Sequence, residues 1–180
     1  MQSINKIVCI MQKLPIGIQS FESLRRDGFA YVDKTKLVYY LVHNGKYIFL
    51  SRPRRFGKSL LLSTLKAYFE GKKELFEGLA IAGLEQSWET YPVLYIDLNV
   101  GLYTSTEGLW EALNSNLSIL EKTYGVAKET NDNAQRFRDL IWNLATKTGK
   151  KVVILVDEYD KPLLQAIDNE PLRKSITFKN

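Results

Sequence analysis

The run Ser51-Arg-Pro-Arg-Arg-Phe-Gly-Lys-Ser59 gathers the residue types best suited to hold an anion. It follows Lys46-Tyr-Ile-Phe-Leu50, an aromatic and β-branched run that reads as a short buried strand. It precedes a helix predicted from Lys58 to about Glu70. Gly-Lys-Ser at such a junction is the end of a phosphate-binding loop. Gly57 lets the backbone approach a phosphate without a Cβ in the way. The first amides of the helix point at the anion, and the helix dipole favours negative charge there. On this reading Arg54, Arg55, Phe56, Gly57, Lys58, Ser59 and Leu60 form the binding loop. Lys58 reaches the β and γ phosphates, and the Ser59 hydroxyl coordinates Mg²⁺. Arg52 stands where the pattern G-x-x-x-x-G-K-[ST] has its first glycine, so the loop is expected to differ in shape. Arg52, Arg54, Arg55 and Lys58 put four positive charges into seven residues, which repel until an anion binds. The competing reading is a basic turn with a chance Gly-Lys-Ser.

A second segment supplies specificity. Val152-Val-Ile-Leu-Val-Asp157-Glu158 is an apolar run ending in two acids, the Walker B pattern of nucleoside triphosphatases. Asp157 would hold Mg²⁺ directly or through a water. Glu158 would polarise the attacking water. Each acid alone could be a helix cap. An aliphatic strand ending in Asp-Glu after a Gly-Lys-Ser junction is much harder to produce by chance. Asp97, at the end of another apolar run, is either a further polar contact or a strand-exit residue.

The elements around these segments alternate between short β-rich runs and longer helical ones, the signature of an α/β layer fold. Asp33 can cap a helix over Lys34–His43 that stops at Asn44-Gly45. The helix from Lys58 turns Leu61, Leu62, Leu65 and Phe69 inward and ends at Gly71. Tyr91–Leu98 reads as a strand entered through Pro92. Ser105 or Thr106 caps a helix carrying Leu109, Leu113, Leu117, Leu120 and Tyr124 inward, stopped by Gly125. Asn131-Asp132-Asn133 opens another, with Phe137, Leu140, Ile141 and Leu144 inward and Gly149 at its end. Lys151–Val156 is the most apolar run and reads as a central parallel strand buried on both faces. Pro162 suits the first turn of a short final helix, with Asp160 as its cap and Lys161 facing solvent.

Composition narrows the classes. The chain has 180 residues, 45% hydrophobic and 25% charged, an ordinary globular balance with room for about one domain. Its net charge of +5 invites an anionic partner. Single Cys and His residues, Cys9 and His43, exclude an internal disulfide and a two-His metal site. His43 falls at a helix end, where a positively polarised group suits the dipole. No run approaches the roughly 20 apolar residues that span a bilayer, so no membrane partner and a cytoplasmic location are expected.

With both segments in hand, the chain resembles the AAA-ATPase-like family of bacterial proteins. The resemblance rests on LPIGIQSFESLRRDGFAYVDKT, FLSRPRRFGKSLLLSTLKAYFEG and VDEYDKPLL, and covers about Leu14 to Leu172. Arg52 in place of glycine is similar to the family's own form of the loop. The resemblance implies an α/β three-layer P-loop NTPase core with a mostly parallel sheet. It carries Lys58 and Ser59 onto the phosphate and magnesium positions, and Asp157 and Glu158 onto the Walker B pair. ATP and Mg²⁺ are the implied ligands, with Lys58 and Glu158 catalytic and Ser59 and Asp157 on the metal. Family members usually continue past this point with further strands, and many carry a domain similar to PD-(D/E)XK nucleases. The implied core is therefore incomplete, with later strands absent.

The resulting division is an N-terminal extension over 1–13, a family N-terminal segment over 14–45 and a partial P-loop ATPase domain over 46–180. Walker A occupies 52–59 and Walker B 152–158. The expected function is ATP binding, with Mg²⁺-dependent hydrolysis in the intact form. The rivals are a truncated, non-catalytic fragment and a basic nucleic-acid-binding module. Nucleic acid is also implied as a partner through the nuclease-like domain, and self-association is left open.

Overall fold

The computed structural model describes residues 13–51, 53, 55–99 and 106–165. They fall into two compact units, one within Met1–Ala67 and Lys73–Gln86, the other within Tyr68–Lys72 and Ser87–Asn180.

The first unit is helical. Helix α1 spans Phe21–Arg26, and the hydroxyl of Ser20 caps it by accepting from the Ser23 amide at 3.2 Å. Phe21 is fully buried, with its ring against Tyr31 and Phe76. Helix α2 spans Thr35–Asn44. The cap position falls on Lys34, one residue later than expected, but Asp33 still serves the start, accepting from the Thr35 amide at 2.8 Å and the Thr35 hydroxyl at 2.7 Å. Its second oxygen accepts from the Ala80 amide at 2.7 Å. Burial alone would raise the Asp33 pKa, but these bonds hold it below the usual carboxylate value. His43 does sit in the last turn of α2, with Nδ1 2.8 Å from the Tyr39 carbonyl.

Helix α3 spans Lys58–Phe69, within a residue of its predicted bounds. Its buried residues are Thr64, Leu65 and Ala67, whereas Leu61, Leu62 and Phe69 are half-buried. The polar Thr64 can enter the core because its hydroxyl donates to the Leu60 carbonyl at 2.8 Å. Gly71 ends the helix with φ +70°. In the second unit, to which Gly71 belongs, a Cβ there would meet the Thr90 hydroxyl at 2.6 Å, so any other residue would strain the backbone and displace that side chain.

One expectation fails in the first unit. Lys46–Leu50 forms no strand, and Tyr47 and Phe49 are 88% and 75% exposed. Aromatic and β-branched composition makes a strand only where a neighbouring strand takes up its amides and carbonyls. The described strands, Val93–Asp97 and Val153–Asp157, both belong to the other unit.

In the second unit, β1 spans Val93–Asp97 and β2 spans Val153–Asp157. They pair in parallel, with Val93 opposite Val153 and Asp97 opposite Asp157. Between them lie α4, Thr106–Tyr124, and α5, Asn133–Thr148. Parallel pairing requires such a crossover. Leu94 and Ile96 pack with Leu117 and Leu120 of α4 and Leu140 and Leu144 of α5. Tyr124 locks helix to strand, its hydroxyl accepting from the Val93 amide at 2.9 Å and donating to the Val93 carbonyl at 2.8 Å. Asp132 caps α5 through the Ala134 amide, and Gly149 ends it in the left-handed conformation. The cap predicted at Ser105 lies outside the described residues.

The α/β class therefore holds, with a parallel pair and helices between its strands. The expectation that β2 is buried on both faces does not hold among the described residues. Leu155 and Asp157 are buried, but Ile154, on the other face, is 42% exposed. Helix α6, Lys161–Gln165, begins beside Pro162 as predicted.

Candidate phosphate loop and strand-end acid pair

The loop residues approach α3 through an exposed turn. Ser51, Pro53, Arg55, Phe56 and Gly57 are all exposed. Arg52 and Arg54 lie outside the described residues. Arg55 has φ +68° and Gly57 φ +75°. The left-handed region costs a side-chain-bearing residue about 1–2 kcal/mol, and Gly57 avoids that cost where Arg55 cannot. Nothing lies within 4 Å of a notional Gly57 Cβ, so the glycine answers to backbone conformation rather than to a crowded neighbour. Lys58, Ser59 and Leu60 are the first three residues of α3 and are half-exposed. The Leu61 amide donates to the Gly57 carbonyl at 3.0 Å. The amides of residues 58–60 thus precede the helical ladder, in the turn where the positive end of the dipole resides.

The acid pair is built differently. Asp157 is the last residue of β2 and is buried, while Glu158 follows it half-buried with φ +53°. Among the described residues each Asp157 oxygen accepts one hydrogen bond. Oδ1 takes the Glu158 amide at 3.0 Å, and Oδ2 takes the Tyr95 hydroxyl at 3.0 Å. Burial, and then the negative charge of Asp157, push the Tyr95 phenol well above its ordinary pKa. The hydroxyl therefore stays protonated and able to donate.

Asp97 lies opposite Asp157 in register, and its backbone and one carboxylate oxygen are held by Asn116 and Asn99. Its amide donates to Asn116 Oδ1 at 3.0 Å, its carbonyl accepts from Asn116 Nδ2 at 3.0 Å, and its Oδ1 accepts from the Asn99 amide at 2.7 Å. These bonds fit the strand-exit reading of Asp97 and leave Oδ2 outside them. Lys161, expected to face solvent, instead bonds Asn99 through both its carbonyl and its side-chain oxygen. Reading the sequence missed Tyr95 and Asn99. Tyr95 shares a face with Asp97 at the two-residue strand period, but only the register with β2 brings it to Asp157.

Residues 55–60 thus form one local arrangement, and Asp157 with Glu158 another, each within its own unit. Among the described residues no helix is long and apolar enough to cross a membrane.

Comparison with known proteins adds the family. The chain is similar to a protein of Azotobacter chroococcum mcd 1 described as "Uncharacterized protein in vnfD 5'region", with 40% identity over 166 residues. The match covers 92% of this chain but 32% of that relative, so the chain spans about a third of its length. No solved structure matches. The model of the AAA-ATPase-like family, described as "Predicted AAA-ATPase", matches residues 15–179. The chain belongs to the AAA-ATPase-like family.

Proposed function

We propose that the chain binds ATP with Mg²⁺ through a P-loop at residues 52–59 and the acids Asp157 and Glu158, as part of a three-layer P-loop core. The observation that carries this reading is the turn at Gly57, φ +75°, leading directly into a helix whose first residues are Lys58 and Ser59. Family membership supports an ATPase assignment of the same kind.

The residue chemistry fits both ligands. Arg54, Arg55 and Lys58 supply charge to the triphosphate, while the amides at the start of α3 supply directed donors. No cluster of three or more His, Cys, Asp or Glu side chains arranged for a metal occurs among the described residues. Mg²⁺ asks for less, since it is held by one or two protein oxygens with water and phosphate completing its shell. One hydroxyl, Ser59, and one hydrogen-bonded carboxylate, Asp157, are donors of that kind. When bound, Mg²⁺ neutralises charge on the β and γ oxygens.

Hydrolysis is the second part of the proposal. Glu158 orients a water whose oxygen attacks the γ-phosphorus as the bond to the β,γ-bridging oxygen breaks. The water's proton passes to Glu158, and ADP and phosphate leave. Lys58 stabilises the charge that develops on the phosphate oxygens.

Calorimetry with ATP and Mg²⁺ tests the binding step. Lys58→Ala should weaken ATP at least about tenfold, the loss of one charge-assisted contact. Equal binding by wild type and Lys58→Ala would sink the P-loop assignment. For hydrolysis, Glu158→Gln should retain binding and lose turnover. Nucleic acid is the proposed macromolecular partner, on the strength of the nuclease-like domain that the resemblance implies for many family members.

A further inference from the structure

We propose that Tyr95 is a positioning residue for Asp157, orienting its carboxylate toward Mg²⁺; the inference rests on the nucleotide reading above. Tyr95 lies on β1 opposite Leu155, and Asp157 is two residues further along β2. In a parallel pair those two residues share a face and are diagonal neighbours. The Tyr95 hydroxyl donates to Oδ2 and the Glu158 amide to Oδ1, each at 3.0 Å. Rotating the carboxylate about its Cβ–Cγ bond would break both bonds at once. Among the described residues each oxygen accepts one bond and keeps further acceptor capacity for a cation or its water.

Two features suit this pair of donors to the task. The Tyr95 ring hangs from a strand, and a phenol on a rigid element places its oxygen through only two side-chain torsions. The other donor comes from Glu158, held with φ +53°. A non-glycine residue there costs about 1–3 kcal/mol, a strain found mostly where geometry serves a site. Carboxylates that ligate metals are themselves generally hydrogen-bonded, and losing such a partner costs about 10–100-fold in metal affinity.

The test uses Tyr95→Phe, which removes one oxygen and keeps the ring. ATP binding to the full chain is measured by calorimetry across a Mg²⁺ titration and again in excess chelator. Half-saturating Mg²⁺ should rise about tenfold, with ATP affinity in chelator unchanged. In an Asp157→Ala background the same substitution should leave the Mg²⁺ dependence where Asp157→Ala alone puts it. An unchanged Mg²⁺ titration overturns the proposal. So does equal weakening with and without metal, which would mark Tyr95 as a structural residue. If wild type and Lys58→Ala bind ATP alike, the nucleotide reading itself has failed, and the role of Tyr95 falls with it.

Discussion

Among the described residues of the second unit, the carboxylates of Glu121 and Asp157 are buried, and they are satisfied in opposite ways. Glu121 on α4 faces Arg136 on α5, whose side chain is 1% exposed. Nε meets Oε1 at 2.8 Å and an Nη meets Oε2 at 2.7 Å, the fork geometry that guanidinium and carboxylate share. Arg136 spends its other donors on Asn114, Ser118 and Asn133. Asp157 accepts instead from a phenol and an amide, both neutral. The first arrangement cancels charge and joins two helices. The second fixes a carboxylate and leaves its charge intact. Buried ions are normally paired or bound to metal, so the difference sets a pair that serves the fold against a carboxylate that is proposed to hold a divalent cation.

The largest effect should come from breaking the first arrangement. Arg136→Ala leaves Glu121 buried without its partner, and about 3–5 kcal/mol of stability should disappear. Urea denaturation measures it. Pairing Arg136→Met with Glu121→Leu should recover most of the loss, because apolar contact replaces a desolvated pair. Asp157→Asn should change stability by only about 1 kcal/mol, since it keeps the shape and one acceptor. If Asp157→Asn costs as much as Arg136→Ala, the contrast collapses and Asp157 is a structural residue.

Acid titration sharpens the same contrast. The hydrogen bonds from Arg136, opposed by burial and aided by its charge, hold the Glu121 pKa below the ordinary 4.5. A depressed folded pKa adds stability that is complete above the unfolded value. That stability is lost as pH falls from 4.5 through the lower folded value. Wild type should therefore show a destabilising slope below pH 4.5 that is reduced in the Glu121→Leu, Arg136→Met double variant. An identical slope in both proteins would mean that the pair does not set the acid response.

How much of this was legible in the sequence depended on whether information was local. The start of α3, the Asp132 cap and the Gly149 stop lie within a few residues of the groups they satisfy, and all could be read. The two strands and a parallel sense for the second were also legible, from apolar runs separated by helical ones, but the pairing of β1 with β2 was not. Lys46–Leu50 has strand-like composition, but pairing is a property of two segments and only one is written there. Tyr95 and Lys161 were missed for the same reason. Their partners, Asp157 and Asn99, are both 62 positions away. Of the candidate site, the chemical types were legible at 55–60 and 157–158. The left-handed backbone at Arg55 and Glu158 was not, because no pattern of side chains demanded it.

A smaller effect is expected at Gly57. With φ +75° and open space around a notional Cβ, Gly57→Ala meets strain without a clash. Stability should fall by about 1 kcal/mol, readable as a shift in the urea midpoint, and ATP binding should weaken with it. A neutral outcome would show that the loop relaxes freely to another backbone conformation.

The smallest stability effect, and the sharpest in sign, belongs to Arg55. Arg55→Gly relieves a left-handed arginine but lengthens the list of unfolded conformations to be lost on folding. These terms oppose each other, so the net gain should be about 0.5 kcal/mol. The same change removes a charge from the loop proposed to hold the triphosphate, so ATP affinity should drop while the urea midpoint rises slightly. Arg55→Lys separates the two contributions, keeping the charge and the strain together. If Arg55→Gly moves stability and affinity in the same direction, the exposed arginine at φ +68° is a feature of the turn alone and not of phosphate binding.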